Sequence, residues 1–223
     1  SGSIGSSILL SSLVVSGHRG RHGCGAGTYD WSLMTRIIGG IAGSRQLTSP
    51  AKATRPTSDR IRESIFNRLA SRDRLDGARV LDLYAGTGAL ALEAISRGAI
   101  SAVLVEKDGK AAAVCNQNAQ LIQKALEKEG FFDAITKVAH KAVSSFLSTD
   151  TGEYDLVFID PPYDISNAEV IENLEALIPK LAKDAIVMVE RSSRSEALAV
   201  PAGLVLDEEK SYGDTTIYWL TKN

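Results

Sequence analysis

Cysteine is nearly absent from this chain: its 223 residues carry two, Cys24 and Cys115. Cys24 falls in a Ser- and Gly-rich stretch expected to be disordered and Cys115 inside a predicted helix, so neither a disulfide nor a thiolate metal site is expected. This usage suits a reducing compartment and predicts a cytoplasmic protein. The three histidines (His18, His22, His140) show no ligand spacing, so no metal is expected. Long apolar runs are missing as well. The stretch from Ile8 to Val15 is far shorter than the roughly 20 residues a bilayer span requires, and no basic segment precedes it as in a secretory signal. A membrane partner is therefore not expected. With 44% apolar residues, the chain can bury one main core and a small appendage.

The formal charge of −2 conceals an asymmetry. Residues 36–74 hold nine Arg or Lys against three acids, a net of +6, whereas residues 75–223 hold 14 against 23, a net of −9. The basic segment is the candidate contact for a polyanion. Its bland alternative is a solvated helix face.

What the chain does have is a strand-turn-helix pattern, Val80-Leu81-Asp82-Leu83-Tyr84-Ala85-Gly86-Thr87-Gly88-Ala89-Leu90-Ala91. Glycines at 86 and 88 allow positive φ and close backbone approach, and the N–H groups opening the next helix form a polar rim for a nucleotide-type cofactor. The spacing Gly86-x-Gly88-x-x-Ala91, with Glu106 20 residues beyond Gly86, also fits a dinucleotide fingerprint. Asp82 decides between cofactors. An acid at the strand end would repel a pyrophosphate, whereas the sulfonium and ammonium of S-adenosylmethionine are cations that suit it, leaving Glu106 for the ribose hydroxyls. A strand-end acid that merely faces water is the plainer reading of Glu106.

The second motif lies 78 residues on (82 to 160), where the apolar run Tyr154 to Ile159 ends in Asp160-Pro161-Pro162-Tyr163. A carboxylate, two prolines without N–H donors and an aromatic ring form a rigid platform for a planar substrate carrying an NH₂ group. Taken alone it could equally be a strand-ending turn.

The remaining pattern frames these motifs. Residues 1–33 lack periodicity and are expected to be a disordered or non-native extension, with Met34 as the initiator. Residues 34–74 form a small basic unit: a glycine-containing β-hairpin over 35–47 and a helix over 57–69 with Ile61, Ile65, Phe66 and Leu69 on one apolar stripe. Residues 75–223 are expected to form the catalytic domain. Strands are predicted at 79–84, 101–106, 134–139, 154–160, 185–190, 204–209 and 215–220, with helices at 88–97, 108–127, 141–148 and 167–181. This is an α/β doubly wound, seven-stranded, mostly parallel sheet. Its last two strands lack a crossover helix and must be antiparallel neighbours. Both motifs then fall at carboxyl ends of strands, where such sheets bind ligands.

Four ordered motifs carry a resemblance: Arg36-Ile37-Ile38-Gly39-Gly40; Arg55-Pro56-Thr57-x-Asp59-Arg60-x-Arg62-Glu63-x-x-Phe66-Asn67; Asp82 to Leu90; and Asp160 to Tyr163. From about Met34 onward the chain resembles the bacterial 16S rRNA guanine-N2 methyltransferases of the RsmD type. That resemblance implies a Rossmann-like class I methyltransferase fold, S-adenosylmethionine as donor, and guanine 966 of the small-subunit RNA as target, within a 30S subunit or its precursor. Candidate cofactor contacts are Asp82, Tyr84, Ala85, Gly86, Thr87, Gly88, Glu106, Lys107 and Ala142. The chain departs from related enzymes after the third strand, where His140-Lys141-Ala142-Val143 replaces an Asp or Asn that would accept from adenine. Backbone groups near Ala142 are expected to substitute, with Lys141 facing solvent.

Asp160 and the Pro161 carbonyl are expected to accept the two amine hydrogens while Pro162 stiffens the turn and Tyr163 stacks on the base. A base inside a helix cannot reach such a pocket, so the target is an unpaired or extruded nucleotide. Arg36, Arg45, Lys52, Arg55, Arg60 and Arg62 are candidates for phosphate contact, although Arg60 or Arg62 could pair with Asp59 or Glu63 along their helix. The rival readings are an adenine-N6 nucleic-acid methyltransferase, a protein glutamine methyltransferase, and a non-catalytic RNA-binding assembly factor. A monomer is expected.

Overall fold

The computed structural model describes residues 35–49 and 58–223. The expectations for residues 1–33 and for Lys52 and Arg55 lie outside the described residues. Near-continuous apolar runs specify the central strands β1 (Arg79–Leu83) and β4 (Tyr154–Ile159), which bury almost every residue because helices cover both faces. They join β2 (Ser101–Glu106), β3 (Ile135–His140), β5 (Leu181–Ser192), β6 (Leu204–Tyr212) and β7 (Thr215–Lys222). The seven strands form one sheet in the order β3-β2-β1-β4-β5-β7-β6. Pairing is parallel from β3 to β5 and antiparallel for β5–β7 and β7–β6, as the missing crossover requires.

Five α-helices among the described residues complete the layers: α1 (Asp59–Ser71), α2 (Ala89–Ser96), α3 (Gly109–Lys128), α4 (Val143–Thr149) and α5 (Asn167–Leu177). Strand alternation splits the core in two. Val80, Leu156, Phe158, Met188 and Trp219 pack with α1, α2 and α3, while Leu81, Leu83, Val157, Val187 and Tyr218 pack with α4 and α5. The arrangement is the doubly wound class read from the pattern.

The boundary between α5 and β5 departs furthest from expectation. The helix predicted to 181 ends at Leu177, because Pro179 has no N–H to continue the ladder and sits in a short 3₁₀ turn, Ile178–Lys180. Strand β5 then starts at Leu181, and its register shifts between Tyr154↔Leu181 and Leu156↔Ile186, so the residues between bulge. The N-terminal hairpin is reduced to one antiparallel bridge, Arg36↔Gln46. Further order comes from backbone hydrogen bonds such as Ile37 N to Arg45 O and from contacts with α2.

Those contacts bolt the basic segment to the sheet. The buried carboxylate of Glu93 accepts from the N–H groups of Ile38 (2.6 Å) and Gly39 (2.9 Å), and from Arg97 Nε (2.7 Å). The Ser96 hydroxyl donates to the Gly39 carbonyl (2.7 Å) and accepts from the Ala42 amide (2.9 Å). Gly40 is required here: its φ is +76°, and a Cβ would stand 2.0 Å from the Ser96 carbonyl oxygen.

Helix α1 is capped by Ser58 Oγ accepting from Ile61 N at 3.3 Å and buries Ile65, Phe66 and Leu69. Its outer face ties to β6 through Arg68 with Asp207 and Glu208 and through Ser64–Tyr212 (2.6 Å). Ile37, Phe66 and Leu69 share one core with the sheet, so the basic segment packs as part of the catalytic body.

Candidate active site

Parallel pairing brings distant motifs to one rim. Leu83 is in register with Ile159, so the glycine loop after β1 and the tetrapeptide after β4 leave the sheet side by side. Val105 lies opposite Leu83 and His140 opposite Glu106, which sets Glu106, Lys107, Lys141 and Ala142 along the same edge. Neighbouring carboxyl ends therefore carry the candidate cofactor and acceptor residues.

The loop is built by two left-handed glycines. Gly88, at φ +81°, packs so tightly that a Cβ would lie 2.9 Å from Leu104 and 3.0 Å from Cys115. Gly86, at φ +55°, has nothing within 4 Å of that position, leaving open space where a ligand would approach. The Gly86 amide donates to Glu106 at 2.9 Å, and the other Glu106 oxygen accepts from Asp108 N at 2.7 Å. Each oxygen keeps a further lone pair for a hydroxyl donor. Ala85 N donates to the Val105 carbonyl, and Gly88 N to the Ala85 carbonyl, closing the turn.

Asp82 is placed deeper than the sequence suggests. It is 1% exposed and accepts from Ala91 N at 3.2 Å. Gly88, the N-cap residue of α2, has no side chain, so β1 supplies the acceptor that a Ser or Asp would normally provide. Burial pushes the Asp82 carboxyl up to about 8, with Asp160 and Glu106 adding to the rise and the Ala91 amide opposing it. Burial likewise pushes up the Cys115 thiol under the glycine loop. Among the described residues there is no His, Cys, Asp and Glu cluster able to hold a metal ion.

The Tyr84 phenol turns away from the loop, even though its backbone takes φ +67°. Its hydroxyl accepts from Asn173 on α5 at 2.7 Å, and burial pushes its pKa up to about 12. Lys107 is exposed, with its carbonyl 3.1 Å from His140 Nε2, and Ala142 caps α4 with extended backbone. At the tetrapeptide, Pro161 is buried, whereas Pro162 and Tyr163 face outward, Tyr163 being 68% exposed.

The basic candidates divide. Arg45 and Arg60 are exposed, and Arg36 is exposed but 3.3 Å from Asp59. Arg62 corrects the expectation of a phosphate contact. It is 1% exposed on the buried stripe of α1, and Nη2 donates to the Arg36 carbonyl (2.8 Å) and Asp59 (2.7 Å). The i, i+3, i+4, i+7 spacing of 62, 65, 66 and 69 puts it inward, where the hairpin carbonyl and Asp59 of its own helix partly offset the cost of burial.

The family described as "Conserved hypothetical protein 95" matches residues 35–221. "Ribosomal RNA small subunit methyltransferase D" of Escherichia coli strain K12 is 37% identical over 180 residues, 80% of this chain and 85% of its own length. The chain belongs to this RsmD family of methyltransferases. Bacillus subtilis YlbH is 32% identical over 183 residues, 82% of this chain and 96% of that protein. The solved structure of Escherichia coli yhhF superposes with a TM-score of 0.70 at 32% identity, covering 85% of this chain and 98% of that one.

Family membership agrees with the motif order, and the geometry adds residues the motifs do not contain. Asn118 on α3 is fully buried. Its Nδ2 donates to Thr87 O and Thr48 O, both at 2.9 Å, and its Oδ1 accepts from Thr48 N at 2.8 Å. It stitches the N-terminal segment to the glycine loop. A polar residue at an inward position of the predicted helix 108–127 was the only sequence signal for it.

Proposed function

We propose that this protein methylates the exocyclic N2 of a guanine in small-subunit ribosomal RNA, nucleotide 966 being the target implied by its family. The observation that carries this reading is the register Leu83↔Ile159, which sets the glycine loop beside Asp160. The relatives named as ribosomal RNA small subunit methyltransferases support the RNA substrate.

The residues fit S-adenosylmethionine. Open space lies over Gly86, Glu106 retains acceptor capacity beside it, and the Asp82 carboxyl, pushed up by burial, would be drawn to its charged form by a cation held nearby. When bound, that cofactor supplies an electrophilic methyl on a sulfonium. Gly86, Thr87, Gly88, Glu106, Lys107 and the backbone at Ala142 would hold it, with Asp82 contributing negative charge from beneath.

The chain's own task is to prepare the amine, whose lone pair is delocalised into the guanine ring. Asp160 and the Pro161 carbonyl accept the two N2 hydrogens, which favours a pyramidal nitrogen with its lone pair out of the base plane. The exposed Tyr163 ring stacks on the extruded base and offsets the cost of unstacking. Asp160 then takes the proton, a modest demand because methylation acidifies the amine. Arg45, Arg36 and Arg60 hold flanking phosphates. The protein acts as a monomer on a 30S subunit or its precursor.

The test incubates the protein and labelled S-adenosylmethionine with undermethylated 30S particles and, separately, with naked 16S RNA, followed by mass-spectrometric nucleoside analysis. Labelled N2-methylguanosine is expected, and Asp160→Ala should abolish it while leaving cofactor affinity intact. Labelled N6-methyladenosine would replace this reading with an adenine methyltransferase.

A further inference from the structure

The acceptor loop has an anchoring problem that its own sequence creates. Pro161 and Pro162 bring no N–H donors, so the main chain there can be held only through its carbonyls and through the residues that follow. The described structure supplies an anchor in Arg191, near the carboxyl end of β5, a residue outside all four motifs. It is 6% exposed. Its Nη2 donates to the Ile165 carbonyl at 2.8 Å and its Nε to Asn167 Oδ1 at 3.1 Å.

Each contact extends one bond further. The Ile165 amide donates to the Pro162 carbonyl at 3.1 Å, closing the turn that presents Tyr163. Asn167 Nδ2 donates to the Glu196 carbonyl at 2.7 Å, in the loop after β5. Two bonds from one planar guanidinium thus fix the far end of the acceptor loop and the first residue of α5 together. A lysine could satisfy one acceptor but not both in this fork geometry.

We propose that Arg191 is a positioning residue for the methyl acceptor, holding the 160–166 loop so that Asp160, the Pro161 carbonyl and Tyr163 meet the base in one fixed arrangement. This rests on the reading of that loop given under Proposed function. Arg191 touches neither substrate nor cofactor in this scheme. Its removal therefore lowers kcat rather than affinity, because a displacement of about 1 Å at the reacting amine can cost on the order of 100-fold in rate.

The experiment compares wild type, Arg191→Met, Arg191→Lys and Asn167→Ala by steady-state methylation, by calorimetric titration with S-adenosylmethionine, and by hydrogen exchange. Arg191→Met should lose roughly 10- to 100-fold in kcat, with KM for RNA and cofactor Kd changed less than about threefold. Arg191→Lys should fall between, and Asn167→Ala should reproduce part of the loss without changing charge. Peptides spanning 161–167 should exchange faster in Arg191→Met while β1 and β4 keep their protection. A kcat near wild type in Arg191→Met overturns the proposal, and so does faster exchange throughout the sheet, which marks a general structural brace. Should Arg191→Met fail to fold, Arg191→Lys and Asn167→Ala give the same discrimination. Should wild type methylate no guanine, the proposed reaction fails, while the exchange comparison still decides whether Arg191 holds the loop.

Discussion

The Asn118 side-chain amide donates to the Thr87 carbonyl at 2.9 Å and, from the same nitrogen, to the Thr48 carbonyl. One fully buried side chain thereby joins the glycine loop to the end of the hairpin segment. Asn118→Leu removes both links and leaves the Thr48 amide and two carbonyls without this partner, a loss of about 2–4 kcal/mol by the usual cost of unmade buried hydrogen bonds. Chemical denaturation should show that loss. Titration of the folded variant with S-adenosylmethionine should show an affinity decrease of roughly tenfold, since Thr87 is no longer fixed. Unchanged affinity would detach Asn118 from the cofactor site.

The two loop glycines separate packing from access. Gly88→Ala combines a left-handed backbone with a Cβ at 2.9 Å from Leu104, so strain and overpacking together should cost about 2–4 kcal/mol. Gly86→Ala meets open space and carries only the backbone term of about 1–2 kcal/mol. Its methyl projects where a ligand approaches, so its larger effect should be on cofactor affinity. Urea unfolding and calorimetric titration of both variants check this crossover, and equal effects on both readouts would refute it.

Asp82 gives a pH dependence whose sign follows from its raised carboxyl. A group with a folded pKa of about 8 and an ordinary unfolded value near 4 favours the native state when protonated. That contribution is complete below about pH 4 and is lost as pH rises towards 8. Asp82→Asn should flatten this decline in unfolding free energy. A cationic ligand reverses the preference, so S-adenosylmethionine binding at pH 7 should release protons, and affinity should rise up to about pH 8. Calorimetry in two buffers of different ionisation enthalpy measures the release, and none is expected from Asp82→Asn. Absence of proton release in wild type would remove Asp82 from cofactor electrostatics.

The arginines should part into two classes. Arg45→Ala removes an exposed cation and should weaken RNA binding, lowering the slope of log affinity against log salt by about one, with stability unchanged. Arg62→Ala removes a buried one that bonds the Arg36 carbonyl and Asp59, and should cost about 2–4 kcal/mol of stability with little effect on that slope. Filter binding across a salt series, with thermal unfolding, distinguishes the two. A salt slope that responds to Arg62 and not to Arg45 would invert the assignment.

Much of the architecture was legible in local pattern. The apolar runs at Val80–Leu83 and Tyr154–Ile159, the absence of a crossover between the last two strands, and the stripe of Ile65, Phe66 and Leu69 are periodic signals that burial enforces directly. Pro179 also carried a readable signal, its missing N–H, yet the helix was expected to run through it. The glycine loop and tetrapeptide were legible as chemistry, since positive φ and missing N–H donors are properties of the residues themselves.

Other assignments were decided by the tertiary structure. Glu93, Asn118 and Arg191 are polar residues in helices and a strand whose partners lie 54, 70 and 26 positions away, at Gly39, Thr48 and Ile165. Arg62 has the sequence character of a surface cation and is buried, because a hairpin carbonyl and Asp59 satisfy part of its guanidinium. Asp82 has the character of a ligand contact and caps α2, because Gly88 gave up the side chain that would have done so. By itself the sequence determined which segments become strands and helices and which short motifs can bind or react, for those follow from periodicity and residue chemistry within a few positions. Only the packed sheet decided which polar side chains are spent on holding the site together, because the partner of a buried hydrogen bond is chosen by three-dimensional proximity and leaves no local period in the chain.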